Sequence, residues 1–194
     1  MIYFYSDPHF YHENIIRLAD RPFDGIQQMD HRLVELYNDM VTDSDEVYFL
    51  GDLAFHRRRI RQGTLTPRDV NKVIKKLKGR KHLIAGNHDS WFLESPDFDR
   101  GLFLSIGQEE RLEADGRTLI LLHDPAPFLP DPATGEAPQR SLGPGEMLIY
   151  GHVHNNLPEE PPVPSCCVCV EVTSYSPVSL EAVLRGEAGW QSPS

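Results

Sequence analysis

The chain has 194 residues, of which 40% are hydrophobic and 25% are charged, and its formal net charge is −10. This balance is typical of a globular protein, and the acidity disfavours broad binding to a nucleic-acid backbone. No apolar run approaches the ~20 residues that span a bilayer, which argues against a membrane protein. The first residues lack the basic and small-residue signature of a signal peptide, so we expect a cytoplasmic protein.

Five short runs of β-branched and aromatic residues each end abruptly in Asp, Asn or His. Their continuous hydrophobicity is typical of strands covered on both faces. They occupy residues 2–7, 47–52, 82–87, 119–123 and 147–152. Helical periodicity lies between the early runs, over residues 26–41 and 67–78, and the second helix begins at a proline and is followed by Gly79. Alternating strands and helices predict a parallel βαβαβ core.

The second half of the chain has a different pattern. Residues 102–122 predict short strands with a turn at residues 114–116, and the Pro-rich residues 125–146 and 157–165 predict irregular connections. Residues 166–173 predict a strand, and Pro177 predicts the start of a final helix that runs to about Leu184. Because no repeat or linker interrupts the sequence, we predict one α/β domain over residues 1–194.

Polar side chains recur at the ends of the five runs, which is the edge where open parallel sheets bind ligands. The candidate metal ligands are Asp7, His9, Asp52, Asn87, His123, His152 and His154. Mixed oxygen and imidazole donors suit Mn, Fe or Zn, whereas calcium prefers oxygen alone. Seven candidates are too many for one tetrahedral ion, and they fit two ions that share a bridging carboxylate.

In this order, the blocks D-x-H, G-D, G-N-H-D, a lone H and G-H-x-H resemble those of the calcineurin-like metallophosphoesterases. The set spans about three-quarters of the chain, and it is specific although each block alone is not. Segments near Asp7, Arg21 and Tyr175 also resemble the small bacterial and phage phosphoesterase branch. The resemblance implies a layered β-sandwich flanked by helices, with a βαβαβ core, and two divalent metal ions. Mn is the first choice, with Fe, Zn, Ni or Co as alternatives.

The resemblance also implies a role for each residue. One ion would be held by Asp7, His9, Asp52 and His154, and the other by Asp52, Asn87, His123 and His152. Asp52 would then bridge the ions, which activate a bridging hydroxide for attack on phosphorus without a covalent protein intermediate. Asn87 and the catalytic His88 would contact the substrate phosphate, and a carboxylate, Asp89 or Asp52, would hold the His88 tautomer.

These features predict a metal-dependent phosphoesterase that acts on phosphodiesters, phosphomonoesters or both. The expected substrate is a nucleotide or a short nucleic-acid end. We expect the protein to bind no membrane and to need no obligatory protein partner. One alternative is a catalytically inactive scaffold of the same fold, and the complete set of ligand positions argues against it. Another is a zinc hydrolase or a two-His-one-carboxylate iron oxygenase, which would leave several imidazoles unexplained.

Three further features have both a structural and a functional interpretation. His12 could face the substrate phosphate, cap a helix or face solvent. The basic run His56–Arg61 predicts a solvated loop, and the alternative is a substrate entrance that binds a second phosphate or a nucleic-acid strand. Cys166, Cys167 and Cys169 predict a buried strand with Cys as a small hydrophobe, since a thiolate site would lack ligands.

Overall fold

The computed structural model describes residues 1–130, 133–157, 163–187 and 189–191. Within these residues, ten strands form two five-stranded sheets, and six α-helices accompany them. None of the helices in this described part of the chain is long and apolar enough to cross a membrane.

The first sheet has the strand order β4-β3-β2-β1-β9 and contains the predicted parallel core. Strands β1 to β4 are parallel neighbours, and β9 pairs antiparallel with β1 at the edge. The bounds are Ile2–Tyr5 for β1, Glu46–Phe49 for β2, Arg80–Ile84 for β3, Ser105–Gly107 for β4 and Val178–Ser179 for β9. Because helices connect β1 to β2 and β2 to β3, the predicted βαβαβ core is confirmed.

The two longest helices cover one face of this sheet. The helix bounds are Glu13–Leu18 for α1, Ile26–Met40 for α2, Arg57–Arg61 for α3, Pro67–Ile74 for α4, Ser90–Leu93 for α5 and Leu180–Leu184 for α6. Helix α2 buries Met29, Leu33 and Tyr37 on one stripe, as its periodicity predicts. This stripe packs in the same core cluster as Tyr5 and Phe49 of the sheet.

Helix α4 begins where predicted and ends earlier. Thr66 and Asp69 form a capping box in front of the first turn, which begins at Pro67. The helix ends at Ile74 rather than at residue 78, because Lys76 and the residue after it donate to carbonyls only three positions back. Gly79 then adopts a φ of 81°, as its predicted role after the helix requires.

The second sheet has the strand order β10-β8-β7-β6-β5. The bounds are Glu109–Ala114 for β5, Arg117–Leu122 for β6, Glu146–Tyr150 for β7, Ser165–Cys167 for β8 and Trp190–Gln191 for β10. Strands β6, β7 and β8 are parallel, while β5 and β6 form a hairpin. The predicted turn is confirmed, since Asp115 and Gly116 have φ values of 52° and 74°, as a type I′ turn requires.

The sheets bury one face against each other. Phe4 and Leu50 from the first sheet pack with Leu121 and Ile149 from the second. The opposite face of the first sheet lies under α2 and α4. The strands of this sheet are therefore covered on both sides, which explains their continuous apolar runs in the sequence. This arrangement confirms the layered α/β sandwich flanked by helices, whereas the single domain over residues 1–194 stays a prediction.

Two elements of the last third differ from prediction. The strand expected over residues 166–173 ends at Cys167, because the chain then crosses to the other sheet. The Val168 amide still donates to the Tyr150 carbonyl, whereas the Val170 amide donates to the Ser6 carbonyl after β1. The final helix begins at Leu180 rather than at Pro177, because the intervening residues pair with β1 as β9.

The three cysteine side chains are fully buried, as predicted, and the Cys169 thiol also donates a hydrogen bond of 3.3 Å to Asp7 Oδ2. Cys166 lies in the core between the sheets, while Cys167 and Cys169 lie in the cluster on the outer side of the second sheet.

The basic run is a helix, so the predicted loop is wrong. Arg57–Arg61 form α3, and the His56 Nδ1 accepts a hydrogen bond of 3.4 Å from the Arg59 amide at its N-terminus. The Arg59 guanidinium also lies 5.9 Å above the centre of the Tyr11 ring, which holds the turn against the segment after β1.

Candidate metal centre

The ends of five strands converge at one edge of the two sheets. Asp7 and His9 follow β1, Asp52 follows β2, Asn87 follows β3, His123 follows β6, and His152 and His154 follow β7. All seven predicted ligands meet there in two neighbouring groups, and Asp52 of the second group also lies close to His9 of the first.

The first group consists of Asp7, His9 and His154. The Asp7 Oδ1 lies 3.8 Å from the His9 Nε2 and 3.9 Å from the His154 Nε2. The two imidazole rings stack with their centres 5.0 Å apart. Asp7 and His9 are buried, so these donor atoms face one another away from bulk water.

The second group consists of Asp52, His123 and His152, with Asn87 beside them. The His123 Nε2 lies 3.0 Å from the Asn87 Oδ1 and 3.2 Å from the His152 Nδ1. Asn87 is the exposed member of this group. The group therefore opens to solvent on the Asn87 side, where a substrate could approach.

Asp52 lies between the groups. Its Oδ2 is 3.5 Å from the His9 Nε2 of the first group and 3.6 Å from the His123 Nε2 of the second. Burial raises the pKa of Asp52, and nearby Asp7 raises it too, against the opposing charge of His123. A carboxylate buried in this way favours a cation on each side of it.

Unpaired buried atoms show that metal ions fit this site. The Asp7 Oδ1 and both ring nitrogens of His9 are buried without a hydrogen-bond partner among the described residues. Such atoms cost free energy unless another ligand satisfies them. Burial, followed by the charge of His154, lowers the pKa of His9 well below 6.5, so His9 is a neutral imidazole. That is the form in which histidine binds a metal.

Hydrogen bonds behind the ligands orient them. The His123 Nδ1 lies 2.6 Å from the Leu50 carbonyl oxygen, and the His154 Nδ1 lies 2.9 Å from Glu171 Oε1. Each imidazole is thus held with its Nε2 turned toward the other candidate ligands, as in many metal sites. Asp7 Oδ2 accepts hydrogen bonds from the Ser6 hydroxyl, the His152 amide and the Cys169 thiol, which leaves Oδ1 for a metal ion.

Glu171 and Arg21 contact the candidate ligands and their loops, and the sequence analysis assigned neither of them to the site. Glu171 is almost fully buried and pairs with Arg21 at 2.7 Å as well as with His154. The Arg21 guanidinium also donates to the carbonyl oxygens of Asp7 and Pro8. The available signal was a lone carboxylate flanked by valines in an apolar segment, because such a charge is rarely buried unless it is paired.

His88 has no carboxylate partner of the kind the sequence suggested. Asp89 accepts hydrogen bonds from the backbone amides of Gly86, Asp52 and Leu53. Asp52 accepts a hydrogen bond from the His88 backbone amide, not from its ring. Within the described part of the chain, the His88 imidazole therefore has no hydrogen bond to either candidate carboxylate. Asp89 instead fixes the loops that carry the candidate ligands.

His88 and His12 flank the first group. The His88 ring is half-buried, with its centre 5.6 Å from that of His9 and 4.2 Å from that of Phe55. The His12 ring lies 5.4 Å from that of His9. The His12 side chain makes no capping hydrogen bond to α1, so the capping role is excluded. Its ring is half-buried, and the role of facing a substrate phosphate stays a prediction.

Comparison with known proteins agrees with this geometry. No protein-family model matches the chain. An uncharacterised protein of Methanocaldococcus jannaschii is 31% identical over 190 residues, which cover 95% of this chain and 89% of that protein. The two chains belong to one family, and the five ordered motif blocks of this chain meet at one edge of the two-sheet fold. This family is the one shared with the uncharacterised protein, and membership of the calcineurin-like metallophosphoesterases stays a prediction from the motif blocks.

The first of two similar solved structures has the same fold. A protein of unknown function from Aquifex aeolicus is 27% identical with a TM-score of 0.68, and the match covers 95% of this chain and 98% of that one. YfcE, a phosphoesterase from E. coli, is 20% identical with a TM-score of 0.46, over 87% of this chain and 77% of its own.

The five motif blocks carry backbone strain. Five of the candidate ligands have φ values between 50° and 69°: Asp7, His9, Asp52, His152 and His154. Such conformations cost about 1–3 kcal/mol each and persist only where surrounding contacts fix them. In these loops, the contacts that position the candidate ligands therefore outweigh the local conformational preference of the backbone.

Glycines let these loops approach one another. A Cβ at Gly51 would overlap the Gly86 backbone, and one at Gly151 would overlap the Ser6 hydroxyl and the Asp7 carboxylate. The glycine beside Asp52 therefore permits the close approach of these two loops.

Proposed function

We propose that the protein is a phosphoesterase that uses two divalent metal ions to hydrolyse phosphodiesters, phosphomonoesters or both. The observation that supports this best is the position of Asp52, whose Oδ2 lies within 3.6 Å of an imidazole nitrogen in each ligand group. A single carboxylate shared by two groups of ligands suits a dinuclear centre. A mononuclear zinc or iron enzyme would leave one group unused.

Two such ions, when bound, lower the pKa of a water molecule and neutralise the phosphoryl oxygens of an in-line displacement. The residues of this chain orient the reaction. Neutral His9 and the two imidazoles held by Leu50 and Glu171 keep their ligand nitrogens free. Exposed Asn87 and half-buried His88 stand at the open side, where they contact the substrate phosphate.

We assign His88 the catalytic role at this open side. Its imidazole stabilises the charge of the transition state or donates a proton to the leaving oxygen. No side chain would need to form a covalent intermediate, because two ions held by these residues would supply an activated water as the nucleophile. Manganese is the proposed metal, because oxygen and imidazole donors surround the site.

The substrate that fits best is a small phosphodiester, such as a cyclic nucleotide, or a short nucleic-acid end. The net charge of −10 disfavours a long duplex, which would need many basic contacts spread over the surface.

The test is metal reconstitution of the stripped protein with Mn²⁺, assayed on bis(p-nitrophenyl) phosphate and on p-nitrophenyl phosphate. We expect two ions per chain and turnover that appears only after reconstitution, faster on the diester. Fewer than two ions per chain, with neither ester hydrolysed, would contradict the proposal. Two bound ions without turnover of either ester would instead support the inactive scaffold.

A further inference from the structure

Beside the first ligand group lies a cleft of about 630 Å³, which we call the arginine cleft. His12 and Asn14 line one side of it, and Arg57, Arg58 and Arg61 of α3 line the other. This volume is within the range of small-molecule sites, which is about 300–1,000 Å³.

The cleft begins next to the metal centre. The His12 ring lies 5.4 Å from that of the ligand His9, and it also packs edge-on against Phe55 at 5.3 Å. Phe55 in turn contacts His88. One layer of side chains therefore separates the cleft from the groups that would hold the reacting phosphate.

The arginines of the cleft have no partners in the described part of the chain. Arg57, Arg58 and Arg61 are exposed, and no hydrogen bond or ion pair joins their side chains to a described residue. Seven other arginines form ion pairs with carboxylates: Arg21, Arg32, Arg68, Arg80, Arg111, Arg140 and Arg185. Three unpaired arginines on one short helix stand out in a chain of net charge −10.

These arginines also repel one another. Arg57 and Arg61 are four positions apart, and Arg58 and Arg61 three, so their charges share one helix surface and destabilise it. Arg59, by contrast, is anchored over Tyr11 and donates to the Thr64 carbonyl, which fixes α3 in place. A bound anion would relieve this repulsion, and guanidinium groups bind phosphate through paired hydrogen bonds.

We propose that the arginine cleft binds a second phosphate group of the substrate while the first is held at the metal centre. This inference rests on the proposed function and narrows its substrate class to phosphate esters that carry another phosphate nearby. The second phosphate belongs either to the next position of a nucleic-acid strand or to a nucleoside diphosphate.

The test compares ligands that differ in one phosphate. Calorimetry on the Mn²⁺-loaded protein measures the affinity for thymidine 5′-phosphate, thymidine 3′,5′-bisphosphate and thymidine 5′-diphosphate. We expect one of the doubly phosphorylated ligands to bind about tenfold more tightly than the monophosphate, the tenfold corresponding to ~1.4 kcal/mol. Preference for the 3′,5′-bisphosphate indicates a nucleic-acid strand, and preference for the diphosphate indicates a nucleotide.

The variant Arg57→Ala/Arg58→Ala/Arg61→Ala should lose this preference. The matched control Arg32→Ala/Arg68→Ala/Arg185→Ala removes the same charge from exposed ion pairs elsewhere and should keep it. Metal content and circular dichroism of both variants show that the fold is intact, since Ala favours helix. Equal affinity for all three ligands, or a preference retained by the cleft variant, would overturn the inference.

Turnover gives an independent reading. The p-nitrophenyl 5′-ester of thymidine 5′-phosphate is compared with the same ester carrying a 3′-phosphate. If the protein binds a 3′,5′-bisphosphate preferentially, kcat/KM should be higher for the second ester, and this ratio should fall in the cleft variant. If neither ester is hydrolysed, the proposed function fails, while the binding measurements still decide the cleft.

Discussion

At the scale of single residues, the candidate metal centre depends on the buried carboxylate of Glu171, which is not itself a candidate metal ligand. Glu171 pairs with Arg21 and holds the Nδ1 of His154, while Arg21 donates to the Asp7 and Pro8 carbonyls. One ion pair therefore fixes both the imidazole from the loop after β7 and the backbone of the loop after β1. Breaking it would leave an uncompensated buried charge.

The variant Glu171→Gln should weaken Mn²⁺ binding by about 10–100-fold, because outer partners of a ligating histidine contribute on that scale. Equilibrium dialysis against a competing chelator measures the loss. The control is Glu181→Gln, which removes an exposed carboxylate paired with Arg185. Unchanged affinity in Glu171→Gln would show that His154 needs no such support.

His88→Ala tests the division between metal ligands and substrate contacts. We expect the variant to keep both ions and to lose about 10²-fold in kcat, as removal of a general acid does. Metal analysis and steady-state kinetics on the same sample give the two readings. Loss of the ions from His88→Ala would contradict its assignment.

At the scale of elements, the sequence predicts those parts whose neighbours are close along the chain. Continuous apolar runs reveal strands covered on both faces, and the turn at residues 114–116 needs only local conformation. The strand predicted over residues 166–173 is wrong because pairing with Ser6, far away in sequence, pulls the chain to the other sheet.

The same limit applies to the site. The meeting of the seven candidate ligands could be predicted, because each follows a strand and the ends of strands meet at one edge. Glu171 was missed although its apolar neighbours signalled burial, since its contact with Arg21 joins residues 150 positions apart. The choice of a partner for His88 also failed, because proximity in sequence did not reveal that Asp89 binds three backbone amides.

The loops that converge on the centre tolerate no added atoms. Gly151→Ala would drive a methyl group into Ser6 and Asp7, so we expect a loss of about 1–3 kcal/mol in stability together with weaker metal binding. Urea denaturation and metal titration measure these effects. Gly25→Ala is the control, because its Cβ meets nothing within 4 Å. Equal stability of the two variants would contradict the packing described.

At the scale of the whole molecule, buried carboxylates make stability depend on pH. Burial raises the pKa of Asp30 from 3.8 to about 7, although the Tyr11 amide donates to it. The folded protein thus holds this proton more firmly than the unfolded chain. The stability that protonated Asp30 contributes is fully present below about pH 4 and is lost as the pH rises toward 7.

The variant Asp30→Asn should remove this part of the pH dependence. Between pH 4.5 and pH 8, the free energy of unfolding of the unmodified protein should fall by roughly 2–4 kcal/mol more than that of the variant. Urea denaturation with a chelator present excludes the pH dependence of metal binding. Asp89 also has a raised pKa, but both proteins contain Asp89, so its contribution to the pH dependence cancels in the comparison. Parallel pH profiles would contradict the assignment.

The central claim is that Asp52 joins two metal sites into one centre. Electron paramagnetic resonance of the protein reconstituted with two equivalents of Mn²⁺ tests it most directly, because ions bridged by a carboxylate couple magnetically. We predict a coupled two-ion spectrum that is replaced in Asp52→Asn by the six-line signal of isolated Mn²⁺, with turnover abolished. A six-line signal from the unmodified protein, or a coupled spectrum that survives in Asp52→Asn, would contradict the account.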